Sequence, residues 1–312
     1  MTRSVFRGSM TALATPFKDG VIDEAAFVRL CQRQIARGTT ALVVCGSTGE
    51  AASLRPEEYA SLIRLAVANA QGRVPGRVPV IAGCNGPCTD AAAAAAALAA
   101  RCGAAALLCA PTPYVKPSQE GIVAHMRLLS HASDLPLIVY DVPGRVGVAV
   151  RDETVATLFE LGLTIGIKDA TADLGRPTRL RVLCGPDLLQ LSGDDATAAA
   201  YRAAGGDGCI SVTANLAPSL CALLHKSWDD GDLATFASIR NVLAPLHEAL
   251  FAESNPVPLK AALALLGLAE AEVRLPLLRA RDATKTRLAD ILGQVMSREE
   301  SMASHPRYAL AS

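Results

Sequence analysis

The sequence predicts an α/β protein: a (β/α)8 TIM barrel with a small C-terminal helical extension. Three observations carry this. Eight short, continuous apolar runs recur along the chain, as expected of parallel strands buried on both faces. Stretches of helix length with amphipathic patterning separate most of them. No G-x-G-x-x-G follows the first run, which counts against the doubly wound alternative.

In order, Thr11–Ala14 is the first run, followed by the helical pattern Glu24–Arg37. Ala41–Val44 leads into Pro56–Asn69, where Pro56 suits the first helical position and Glu57 and Glu58 suit the helix dipole. A tandem duplication, Gly72-Arg73-Val74-Pro75 and Gly76-Arg77-Val78-Pro79, precedes the third run, Val80–Ala82. It falls in a connection on the face away from the expected site and is read as functionally silent. Thr89–Arg101 is a helix because alanine has the strongest helix propensity. Ala105–Cys109 is the fourth run, with Gln119–Ala132 after it. Leu137–Tyr140 precedes Asp152–Leu161, and Thr164–Ile167 is the sixth run. Leu188–Leu191 leads to Asp195–Ala204, and Gly208–Ser211 to Ala217–Lys226. The barrel is therefore expected over residues 1–226. Helices at Leu233–Leu250, Pro258–Leu266 and Pro276–Leu292 make an extension over 227–296, and 297–312 reads as a disordered tail.

Composition excludes several classes. Thirty Lys+Arg balance thirty Asp+Glu, and 51% of residues are hydrophobic. That is not a disordered chain, and without a basic excess no nucleic-acid partner is expected. The most apolar stretch, Ala91 to Ala100, is too short to span a bilayer, which needs roughly 20 apolar residues. Met1 to Gly20 lacks the apolar core of a secretory signal, so no membrane contact and a cytoplasmic location are expected. The nine cysteines are read as reduced core thiols. Cys84 and Cys88 have no neighbouring histidine, and His125, His131, His225, His247 and His305 are dispersed. No metal and no cofactor are expected.

Barrel chemistry sits at the C-terminal ends of the strands. Lys168 follows the sixth run and is expected in the barrel mouth. Desolvation there frees an amine for attack on a carbonyl; the other reading is a lysine paired with Asp169. Tyr140 ends the neighbouring fifth run, as a proton shuttle or as a core tyrosine. Ser47 and Thr48 lie between glycines, as an anion nest or as an ordinary turn. Arg145 follows Pro143-Gly144, as a carboxylate clamp or as a solvated loop residue.

Together these motifs resemble the dihydrodipicolinate synthase family, within the pyruvate-dependent class I aldolases that include N-acetylneuraminate lyase. The resemblance runs from Phe6-Arg7-Gly8-Ser9 to about residue 226. It is carried by Gly46-Ser47-Thr48-Gly49-Glu50, Pro117-Ser118-Gln119-Glu120-Gly121, Tyr140-Asp141-Val142-Pro143-Gly144-Arg145, Gly166-Ile167-Lys168-Asp169-Ala170-Thr171, Ser192-Gly193-Asp194-Asp195 and Ile210-Ser211-Val212-Thr213-Ala214-Asn215. It implies that Lys168 forms a Schiff base with pyruvate. Tyr140 would move protons, relayed by Ser47 and by Tyr114 of a neighbouring subunit. Thr48 would hold the pyruvate carboxylate, and Arg145 that of a small aldehyde, aspartate semialdehyde. Gly193 and the Ile210 carbonyl would line the pocket. A homotetramer built as a dimer of dimers is implied.

Two departures stand out. Asp141 replaces the usual asparagine beside the tyrosine, and Ser47 the usual threonine. The positions of the feedback lysine pocket carry Pro56, Tyr59, Pro87, Ala91 and Pro113, so insensitivity to lysine is expected. The alternatives left open are another Schiff-base keto-acid aldolase or dehydratase, and a sensor that has lost its chemistry.

Overall fold

The computed structural model describes residues 5–70 and 78–303. Eight parallel strands close into a barrel. They are β1 (Gly8–Ala12), β2 (Ala41–Val44), β3 (Val80–Gly83), β4 (Ala106–Cys109), β5 (Leu137–Asp141), β6 (Gly166–Asp169), β7 (Leu189–Ser192) and β8 (Gly208–Ser211). Each pairs with the next, and β1 pairs with both β2 and β8, so no sheet edge remains. A small antiparallel hairpin, Phe17–Lys18 against Val21–Ile22, follows β1.

The continuous apolar runs are explained by burial on both faces. Met10, Ile81, Ile138, Leu189, Leu191 and Ile210 fill the barrel interior. The alternate residues Leu42, Val44, Ala82, Leu107, Val139 and Ile167 pack outward against the helices. Strand ends differ from the sequence expectation where polar residues continue the ladder. The first strand begins at Gly8, and the sixth extends to Asp169, so Lys168 lies within a strand rather than after it.

The surrounding helices are α1 (Glu24–Ala36), α2 (Pro56–Asn69), α3 (Thr89–Arg101), α4 (Gln119–His131), α5 (Asp152–Glu160), α6 (Arg176–Cys184), α7 (Ala198–Ala203) and α8 (Pro218–Asp229). Local chemistry starts several of them. Asp23 accepts from the Ala26 N–H at 2.9 Å, and Ser118 from the Gly121 N–H at 3.2 Å. In α6, three arginines in nine residues hide the amphipathic signal; the helix is held instead by buried Arg176, Pro177 and Leu180. The helix expected from Asp195 starts only at Ala198. Asp195 instead accepts from the Val212 and Thr213 N–H groups at 2.8 and 3.1 Å. Of the tandem duplication, 71–77 lie outside the described residues.

The extension forms α9 (Leu233–Leu250), α10 (Val257–Leu265) and α11 (Asp282–Ala303). The last helix begins later than expected and runs through 297–303, part of the segment expected as a tail. Its polar end is fixed by Glu299, which is fully buried. The two carboxylate oxygens accept from the Ser219 and Leu220 N–H groups at 3.0 and 2.9 Å, the first turn of α8. Arg37 pairs with the same carboxylate at 2.9 Å. Residues 304–312, including His305, lie outside the described residues.

One cysteine expectation is corrected. Cys84 and Cys109 form a disulfide, with Cα atoms 5.3 Å apart. The β3–β4 register pairs Gly83 with Leu108, which places these two residues opposite each other across 25 positions of sequence. The other seven cysteines are free. Among the described residues, no helix is long and apolar enough to cross a membrane.

Candidate active site

A cavity of about 420 Å³ opens at the C-terminal end of the barrel. Lys168, Tyr140, Ser47, Thr48, Arg145 and Gly193 all line it. The register of β5 and β6 pairs Tyr140 directly with Lys168. In-register residues on parallel strands face the same side, so both side chains enter the mouth together. Lys168 is 6% exposed, and its Nζ lies 4.3 Å from the centre of the Tyr140 ring. The alternative pairing with Asp169 is not what the structure shows. Asp169 faces the opposite side of the sheet, where its Oδ1 accepts from Thr171 N–H at 2.9 Å and takes Arg176 at 3.3 Å.

Gly193 is required by the lysine. A Cβ placed on it would stand 3.0 Å from Lys168 Cε and 3.0 Å from Ala170 Cβ. The glycine lets the backbone after β7 pass against the lysine stem, with its N–H donating to the Asp169 carbonyl at 2.6 Å. The neighbouring Asp194 also lines the cavity, but its Oδ2 accepts from Thr197 N–H and Oγ1 at 3.0 and 2.6 Å.

The C-terminal extension completes the site. Phe251, Glu253, Ser254 and Asn255 form one wall. Asn255 Nδ2 donates to Thr48 Oγ1 at 3.0 Å, and its carbonyl accepts from Arg145 Nη2 at 3.0 Å. One residue thus orients the two side chains expected to hold carboxylates. Sequence reasoning missed it; the Glu253-Ser254-Asn255-Pro256 string between two helical patterns was its only signal.

That wall is anchored by buried charge. Lys260 of α10 is 1% exposed and pairs with Glu50, which follows the Ser47-Thr48 turn. Lys260 Nζ also donates to the Glu272 carbonyl at 2.7 Å. Burial lowers the Lys260 pKa, and the Glu50 carboxylate opposes that shift. Removing one partner of such a pair typically costs about 3–5 kcal/mol, so the pair ties the extension firmly to the β2 loop. Lys260 is therefore a structural lysine, whereas among the described residues no carboxylate forms an ion pair with Lys168.

The expectation for Ile210 concerns its carbonyl, and that for Tyr114 the cavity of a neighbouring subunit. The Ile210 side chain is 1% exposed and belongs to the interior core. Tyr114 is 95% exposed with φ of 73° and is not brought to the cavity by its own chain. Asp141 is also resolved: it is fully buried on the outer side of β5, away from the mouth. Among the described residues, no group of three or more His, Cys, Asp or Glu is placed to hold a metal ion.

The sequence and the fold both match known proteins. The family model of the Dihydrodipicolinate synthetase family matches residues 5–295. The chain is 48% identical over 281 residues to the 4-hydroxy-tetrahydrodipicolinate synthase of Rhodospirillum centenum, covering 90% of this chain and 95% of that protein. It is 46% identical over 293 residues to that of Parvibaculum lavamentivorans, covering 94% and 98%. Among solved structures, the dihydrodipicolinate synthase of Thermotoga maritima superposes with a TM-score of 0.89 at 36% identity, covering 94% of this chain and 99% of that one. The Acinetobacter baumannii enzyme complexed with pyruvate gives 0.89 at 37% identity, covering 93% and 99%. A monomeric dihydrodipicolinate synthase variant gives 0.88 at 36% identity, covering 93% and 97%.

Proposed function

The chain belongs to the dihydrodipicolinate synthetase family, and from that premise we propose that it condenses pyruvate with L-aspartate 4-semialdehyde to 4-hydroxy-tetrahydrodipicolinate, a step of lysine biosynthesis. The observation that carries the chemistry is the register partnership of Tyr140 and Lys168 inside one cavity.

The Lys168 amine adds to the pyruvate C2 carbonyl. The carbinolamine oxygen leaves as water, giving the imine, and Tyr140 carries the protons. Loss of a C3 proton gives the enamine. Its C3 attacks the semialdehyde carbonyl, which becomes the 4-hydroxyl. The amino group of the second substrate then adds to the imine carbon, closes the ring and expels Lys168. One water is released overall, and no cofactor is called for.

Thr48 is the proposed holder of the pyruvate carboxylate; its hydrogen bond from Asn255 and its position on the cavity wall beside Ser47 support this. Arg145 presents a planar, bidentate donor for the second carboxylate. Gly193 makes room for the lysine, and the Ile210 carbonyl is assigned to the base of the pocket. Tyr114 is assigned to the cavity of a second copy. Its full exposure on a loop in left-handed backbone supports this. A homotetramer built as a dimer of dimers and a cytoplasmic location belong to the same proposal. Sedimentation gives the assembly, and Tyr114→Ala is expected to reduce turnover only if copies associate.

The test is turnover of pyruvate with aspartate semialdehyde, followed by the product. Negligible turnover here, with activity on a longer 2-keto acid, would replace this substrate pair with that of another Schiff-base aldolase.

A further inference from the structure

The inward pair Tyr140 and Lys168 has an outward counterpart. Asp141 and Asp169, one residue further along, are also register partners, and both are buried. Two carboxylates so placed repel unless a cation stands between them. Arg176, 3% exposed at the start of α6, is that cation. Its Nη1 reaches Asp141 Oδ2 at 2.6 Å and Asp169 Oδ1 at 3.3 Å. Its Nε reaches Asp152 Oδ1 at 2.8 Å, and its Nη2 donates to the Val150 carbonyl at 2.5 Å. Val150 N–H in turn donates to Asp141 Oδ1 at 3.1 Å. Val150 lies in the connection between β5 and α5, which opens with the one-turn helix Pro143–Val146 that carries Arg145. One guanidinium therefore spans two strands and fastens that connection. Burial raises the Asp141 pKa, and the Arg176 charge and hydrogen bond oppose that shift.

We propose that Arg176, which is not on the cavity wall, is a positioning residue for both halves of the site: it holds Asp141 and Asp169 together behind Tyr140 and Lys168, and it pins the loop that presents Arg145. All four groups are reached by a planar fork, which the point charge of a lysine cannot do simultaneously. The chemical consequence rests on the proposed function; the geometry does not.

The experiment compares Arg176→Lys and Arg176→Gln, each alone and combined with Arg145→Gln. If the Gln variant fails to fold, the Lys variant, which keeps the charge, carries the test. In the parent background, Arg176→Lys is expected to slow pyruvate adduct formation roughly tenfold and to raise the semialdehyde KM by roughly tenfold, as misplaced groups do. In the Arg145→Gln background the KM effect is expected to shrink to within about twofold, because the contact that Arg176 positions is already gone. Equal effects in both backgrounds would mean general structural damage and would overturn the proposal, as would parent-like kinetics. The crystal structure of Arg176→Lys decides independently of substrate. Displacement of Arg145 from the Asn255 carbonyl, or of Lys168 from Tyr140, supports the proposal even if the enzyme uses another keto acid. An unchanged site would overturn it.

Discussion

Tyr140 and Lys168 are register partners on neighbouring strands, and the Lys168 Nζ lies 4.3 Å from the centre of the Tyr140 ring. Both side chains therefore enter the cavity from one level of the barrel. A nucleophile and a proton carrier placed this way divide the reaction between them, and their substitutions should separate.

Tyr140→Phe keeps the ring that packs beside the lysine and removes only the hydroxyl. Turnover is expected to fall roughly 10²–10⁴-fold, the usual contribution of a general acid–base group. The pyruvate adduct should still form on Lys168, more slowly. Steady-state turnover and borohydride trapping on the same variant check the separation.

Arg145→Gln removes the planar donor while leaving the lysine, tyrosine and Thr48 in place. Loss of hydrogen bonds to a charged carboxylate costs about 1.5–3 kcal/mol, or roughly 10- to 100-fold. The KM for aspartate semialdehyde should rise by that factor, with pyruvate binding little changed. Titration of each substrate at saturation of the other measures it. A rise confined to pyruvate would reassign the residue.

Glu58 and Arg274 join α2 to the C-terminal extension through two hydrogen bonds of 2.6 and 2.8 Å. The Arg274 hydrogen bonds lower the Glu58 carboxyl from its usual 4.5 to about 2. A pKa depressed on folding means stability that is fully present above about pH 4.5 and is lost as pH falls through about 2. Glu58→Gln should cost about 1.5–3 kcal/mol at neutral pH and flatten that acid limb. Denaturant unfolding between pH 2 and 7 reads both.

Free lysine is expected not to inhibit. Tyr59, at one of the feedback-pocket positions, is turned into the core, where its hydroxyl donates to the Gly83 carbonyl at 3.0 Å. Pro56, Pro87, Ala91 and Pro113 offer no acid or amide side chain to an amino acid. Initial rates with millimolar lysine should match those without it, and inhibition would show that other residues bind it.

The barrel was legible because parallel strands buried on both faces leave continuous apolar runs, and the strand-end rule then isolates Lys168 and Tyr140. What stayed hidden depends on tertiary approach. Asn255 comes from the extension, and nothing local announces that its amide meets Thr48 and its carbonyl meets Arg145. Arg176 starts a helix whose arginines mask its period, and its partners Asp141 and Asp169 lie 35 and 7 positions away. Glu299 reads as a tail residue until α8 is seen to need an acceptor at its N-terminus. Tyr114 can be assigned a role only with a second copy.

The most direct measurement is borohydride reduction in the presence of pyruvate, followed by peptide mass mapping. One reduced pyruvyl adduct per chain is expected, on Lys168, absent in Lys168→Met and unaffected by Lys260→Met in any protein that remains folded. No adduct, or an adduct on Lys260 or another lysine, would contradict this expectation.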